Sequence, residues 1–122
     1  MNEFCIIGRL TDDPELKMLE NNDKVVNVTV AVDRDYKDKN GKKKTDFLKF
    51  ALWNKKAENL CKLSKKGSLV QIKGYIVTKK EKVGDKVIEK PWPVVTQYTH
   101  IQNKKDLNKN VESSKETEGI EV

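Results

Sequence analysis

Cysteine and histidine are scarce in this chain of 122 residues, which holds two Cys and one His. Two thiols and one imidazole do not complete the four-ligand set of a structural zinc site, and a His-based catalytic triad would have to use His100. The start, Met1-Asn2-Glu3, has no basic n-region or small-residue cleavage site and reads as lacking a secretory signal. Cys5 and Cys61 therefore read as buried free thiols rather than a disulfide. No apolar run approaches the ~20 residues of a membrane span, and the mean hydropathy is −0.75. The length suits one domain with an ordinary core. These absences argue against secreted, membrane and metal-dependent classes. They leave an intracellular, single-domain binder without cofactor or metal rather than an enzyme, placed in the cytoplasm.

What is abundant is charge. Lys and Arg number 25 against 19 Asp and Glu, a net of +6. The excess is uneven. Residues 1–102 hold 21 basic against 14 acidic residues, a net of +7 (21 − 14), and residues 103–122 hold 4 against 5. Residues 103–122 have few apolar positions and no period, and read as a short, mildly acidic, disordered tail behind a folded unit of residues 1–102. A basic body points to a polyanion, although a solvated basic surface produces the same count.

Hydrophobic patterning is mostly of period two. Phe4, Cys5, Ile6, Ile7 and Leu10 make a first strand, with a bend or bulge expected at Gly8. Asp12-Asp13-Pro14 is a turn, better read as carboxylates at a Pro turn than as a metal cluster. In 25–33, Val26, Val28, Val30 and Val32 share one face; in 46–53, Leu48, Phe50 and Leu52 do. Between them, residues 37–45 form a hairpin loop turning at Asn40-Gly41 and carrying five Lys. Asn54 is a helix N-cap candidate for a helix to about Lys66, with Ala57, Leu60 and Cys61 on its apolar stripe and Gly67 past its end. Residues 68–80 form the next strand, with Val70, Ile72, Ile76 and Thr78 toward the core and Gly74 interrupting. Residues 87–102 form a last strand, placed at an edge by Pro91 and Pro93 on either side of Trp92. His100 reads as a partly exposed strand residue. The order, three strands, a helix, then two strands, fits an all-β OB-fold, the five-stranded, partly open Greek-key barrel with one helix between strands 3 and 4.

The chemistry lies on the faces turned away from that core. Phe47, Lys49 and Trp53 stand there on the third strand, and Lys73, Tyr75 and Lys79 on the fourth. Tyr36 stands at the mouth of the loop that carries Lys42, Lys43 and Lys44. Unpaired bases offer π-faces to aromatic rings, at about 1–3 kcal/mol per base, and phosphates attract the lysines. Neither contact reads sequence. A second hydrophobic layer or an oligomer interface is the plain structural alternative for the same aromatics. For Trp92, packing is as good a reading as stacking.

The blocks from Ile6-Ile7-Gly8-Arg9-Leu10-Thr11-Asp12-Asp13-Pro14-Glu15-Leu16, through Tyr36-Lys37-Asp38-Lys39-Asn40-Gly41 and Thr45-Asp46-Phe47, to Lys65-Lys66-Gly67-Ser68-Leu69-Val70-Gln71-Ile72-Lys73-Gly74 fall in a familiar order. Over residues 1–102 the chain resembles bacterial-type single-stranded DNA-binding proteins. The resemblance implies an OB-fold, sequence-independent binding of single-stranded DNA in replication, recombination, repair or DNA transfer, and a homotetramer, with a dimer or a DNA-templated filament as other assemblies. It implies stacking roles for Tyr36, Phe47 and Trp53, and a basic role for Lys49. The chain departs from the pattern at Glu81, where a further Trp is usual, at Gln71 for a Tyr, and at Leu48 for a His. It ends Gly-Ile-Glu-Val rather than in an acidic Pro-Phe tip, which argues against the usual docking of repair enzymes and for a plasmid, phage or transposon version. An OB-fold adaptor between proteins and an RNA-binding OB domain are the alternatives.

Overall fold

The computed structural model describes residues 1–103. The expected tail falls outside the described residues from 104 onward. The chain runs β1 (Phe4–Leu10), β2 (Lys17–Met18), β3 (Lys24–Lys37), β4 (Lys43–Trp53), α1 (Asn54–Leu63), β5 (Leu69–Val83) and β6 (Lys86–Gln102). The five expected strands and the helix are present in order, with the two-residue β2 added.

All pairings are antiparallel. The sheet runs β2-β3-β1-β5-β6, and β4 pairs with the other edge of β3. Valines at alternate positions of β3 set the register, because a one-residue slip would turn Val26, Val28 and Val30 outward. Those three pair with Leu52, Phe50 and Leu48 of β4. The C-terminal part of β3 turns to β1 (Arg9↔Ala31, Leu10↔Val30), and β1 continues onto β5 from Phe4↔Gly74 to Arg9↔Leu69. The sheet thus curls until β4 and β6 approach each other. No ladder among the described residues joins them. This is the OB-fold, open along one seam.

The core is the inner side of that curl. Leu10, Val26, Val28, Val30, Phe50, Leu52, Val70 and Ile72 meet there, and Ala57 and Leu60 of α1 close one end. Phe4 and Phe50 stack with ring centroids 5.6 Å apart. The hydroxyl of buried Ser64, just past α1, bonds with the Tyr98 hydroxyl and, at 2.8 Å, with His100 Nδ1, pinning the helix end to β6. Burial pushes the Tyr98 hydroxyl and the Cys61 thiol above their ordinary pKa ranges. His100 is half-buried, as expected of a strand residue.

Several local expectations change. Gly8 makes no bulge: β1 pairs β5 without a shift. A Cβ there would stand 2.4 Å from the Ala31 carbonyl oxygen, so glycine serves close approach of β3. Cys5 is exposed rather than buried, because it falls on the outer side of β1, where Gln71 Nε2 donates to its sulfur at 3.1 Å. Asn54 does not cap α1. Trp53 holds the N-cap position without a side-chain bond. Asn54 adopts φ 51 and its Oδ1 accepts the Lys24 N–H at 2.9 Å, tying the helix start to β3. The helix stops at Leu63, since Ser64 is extended, and Gly67 (φ 88) serves the following turn, its N–H donating to the Leu10 carbonyl. Ile76 and Thr78 are exposed rather than in the core, because β1 ends opposite Gly74 and, among the described residues, no strand pairs with that edge of β5 beyond it.

Candidate nucleic-acid interface

The outer side of β4 follows from the same ladder. Pairing Asp33↔Thr45, Ala31↔Phe47, Thr29↔Lys49, Asn27↔Ala51 and Val25↔Trp53 aligns five β4 side chains on one face. From Thr45 to Trp53 this row spans about 26 Å at ~3.3 Å per residue. Small partners leave the aromatics uncovered: Phe47 opposite Ala31 is 63% exposed and Trp53, at the strand end, is 48% exposed. Lys49 is exposed between them. Leu48, on the alternate side, packs against the core.

The β3–β4 hairpin projects past the barrel. Asp38 organises its tip, its Oδ1 accepting the N–H groups of Asn40 and Lys42 at 2.9 Å each, while Gly41 takes φ 78. Lys42, Lys43 and Lys44 are exposed here. Arg34 forks onto Asp46 (Nε to Oδ2 3.0 Å, Nη2 to Oδ1 3.1 Å) and its Nη1 donates to the Tyr36 hydroxyl at 3.1 Å. The guanidinium hydrogen bond holds the Asp46 carboxyl below its usual range, and Arg34 is raised in turn. Asp46 alternates with Phe47, so Tyr36 stands on the opposite side of the ribbon from Phe47 and Lys49.

The second arm is the β5–β6 hairpin beyond Gly74. On its outer side lie Tyr75 opposite Val94, Val77 opposite Trp92 and Lys79 opposite Lys90. Lys73, just before the register shift at Gly74, sits instead between Cys5 of β1 and Gln97 of β6. Pro93 is tolerated opposite Ile76 because the Ile76 N–H and carbonyl turn the other way, to Asn2 Oδ1 (2.9 Å) and Nδ2 (2.6 Å). Glu81, where the resemblance expects Trp, pairs with Lys90 at 2.9 Å across the arm.

Sequence alternation placed Phe47, Lys49, Trp53, Lys73, Tyr75 and Lys79 on one open face. The fold separates them. β4 and β5 are not neighbours; β3 and β1 lie between them on one side and β6 on the other. What joins the β4 row to Tyr75 and Lys79 is a residue that alternation did not select. Trp92 of β6 has the Lys79 ammonium 4.2 Å from its ring centroid. With Pro93 it also lines a hollow of about 430 Å³ against Asn27, Thr29, Lys49 and Ala51. Its signal in the sequence was a tryptophan on a proline-marked edge strand.

Among the described residues the ion pairs are Lys24–Glu58, Arg34–Asp46 and Lys90–Glu81. Lys42, Lys43, Lys44, Lys49, Lys73 and Lys79 are in none of them. No group of His, Cys, Asp or Glu among the described residues is arranged to hold a metal ion. No helix there is long and apolar enough to cross a membrane. Exposed rings beside unpaired ammonium groups offer stacking surfaces and counter-charge.

Comparison with known proteins identifies relatives over this described part of the chain. The family described as "Single-strand binding protein family" matches residues 1–103. The chain is 42% identical over 79 residues to "Single-stranded DNA-binding protein 1" of Lactococcus lactis, covering 65% of this chain and 53% of that protein. It is 39% identical over 79 residues to "Single-stranded DNA-binding protein" of Streptococcus mutans, covering 65% and 48%. It is 40% identical over 79 residues to the protein so named in Halalkalibacterium halodurans, covering 65% and 47%. The chain spans about half the length of these curated relatives.

Proposed function

We propose that this chain, which belongs to the single-strand binding protein family, binds single-stranded DNA without regard to sequence and shields it. The role is binding rather than catalysis. The observation that carries this reading is the outer row of β4, where Phe47 and Trp53 are 63% and 48% exposed with Lys49 between them. Large rings left in water on a strand face cost free energy unless a partner covers them, and bases cover them without demanding a sequence. Tyr75 and Lys79 extend the path onto the β5–β6 arm. Lys42, Lys43 and Lys44 catch the backbone at the other arm, with Tyr36 on that arm's reverse side. Lys73 adds charge on the barrel wall.

The test is titration with oligo-dT, followed by tryptophan emission and mobility at increasing salt. Binding at low salt that weakens steeply as salt rises supports the reading. Phe47→Ala and Trp53→Ala each weaken binding by about 1–3 kcal/mol. No binding of oligo-dT at low salt overturns the proposal, and equal binding of oligo-U and oligo-dT would remove the preference for DNA.

Assembly belongs to the same proposal. Ile7 of β1 is 50% exposed and Ile101 of β6 is 43% exposed, and both suit burial against another copy of the chain. Light scattering with and without oligo-dT gives the number of copies. The place of action would be the cytoplasm, on single strands exposed in replication, recombination, repair or transfer.

A further inference from the structure

The geometry points to a nucleobase pocket at the seam between β4 and β6, walled by Trp92, that takes one unstacked base of a bound single strand. This rests on the proposed single-strand binding and adds to it a place where one base lodges beside the outer row. The hollow exists for reasons visible in the fold. β4 and β6 approach without a ladder, and the small side chains of Ala51 on β4 and Thr29 on the adjoining β3 leave space below Trp92 and Pro93. At about 430 Å³ it lies in the size range of small-molecule sites.

Its walls match a base. Trp92 thus meets Lys79 of β5 and also lines the hollow beside β4. The Lys79 ammonium, 4.2 Å from the ring centroid, steadies the indole and leaves positive charge where a phosphate would pass. Asn27, with an amide donor and acceptor, and Thr29, with a hydroxyl, supply polar groups on the β3 side for a base edge. Lys49 lines this hollow and belongs as well to the Phe47–Trp53 row. A tryptophan that merely filled the seam would be buried by it; Trp92 remains 37% exposed beside the hollow.

The chain has two tryptophans, Trp53 and Trp92, so Trp53→Phe leaves Trp92 as the reporter. The expected result is a fall in its emission as oligo-dT is added at low salt. Ala51→Leu, which fills the hollow, should diminish that fall. Trp92→Ala in the otherwise unaltered chain should weaken oligo-dT binding about 5- to 150-fold, the loss of one base stack. The pocket is overturned if Trp53→Phe retards oligo-dT on a gel while Trp92 emission stays constant and Ala51→Leu binds as the parent does. Failure of the parent chain to retard oligo-dT overturns the underlying function as well, and so is told apart from failure of the pocket alone.

Discussion

The two halves of β5 alternate alike and meet different fates. From Leu69 to Gly74 the strand lies between β1 and β6, and Val70 and Ile72 are fully buried. From Tyr75 onward β1 has ended, and Ile76, Val83 and the facing Val87 and Ile88 are exposed, between 38% and 63%. Apolar alternation states which residues share a side. Whether that side is core depends on what closes over it, and that is settled by how long the neighbouring strand is. The barrel half holds the fold together, and the arm half leaves its side chains in water.

The largest expected effect that tests this contrast is in the core. Leu52→Ala should cost about 2–5 kcal/mol of stability, while Ile88→Ala on the arm should cost less than ~0.5 kcal/mol, both read by denaturant unfolding. Similar losses would mean that the arm is packed after all. At the boundary itself, a Cβ on Gly74 would stand 1.8 Å from the Val94 carbonyl oxygen. Gly74→Ala should therefore destabilise by about 1–3 kcal/mol, because backbone must move. The other arm separates binding from stability. Replacing Lys42, Lys43 and Lys44 together by Ala should leave the unfolding midpoint within experimental scatter. The slope of log affinity against log salt should fall by about 2, at ~0.7 per single-strand phosphate contact.

The smallest effect concerns pH. The Asp46 and Glu58 carboxyls are held below their ordinary range by hydrogen bonds from Arg34 and Lys24 respectively. A depressed carboxyl stabilises the fold above its unfolded pKa, and the contribution fades as pH falls through the depressed value. Asp46→Asn should therefore lower stability slightly at neutral pH and flatten the acid limb of a thermal-unfolding profile. A steeper acid limb in that variant would contradict the Arg34–Asp46 assignment.

Much of the architecture was legible without coordinates because it rests on local alternation. The valines of β3, Leu48, Phe50 and Leu52 of β4, and the Ala57/Leu60 stripe of α1 all turned to the side their spacing indicated. Single positions misled where a tertiary neighbour intervened. Gly8 looked like a bulge and is a close approach to Ala31. Asn54 looked like a cap and is a tie to Lys24. Cys5 looked buried because it is apolar in kind, yet it falls on the outer side of its strand.

By itself, then, the order of residues determined the strand and helix sequence, the OB-fold, the inner and outer sides of β3 and β4, and the exposed Phe47–Lys49–Trp53 row. Those follow from periodicity, which acts between residues close in the chain. Only the tertiary structure decided which outer sides adjoin. It parted β4 from β5, set Tyr36 behind the β3–β4 ribbon, and brought Trp92 from far along the chain to Lys79 and to a hollow it shares with Lys49. Adjacency across a curled sheet depends on strand order and on where each strand stops, and no local pattern encodes either.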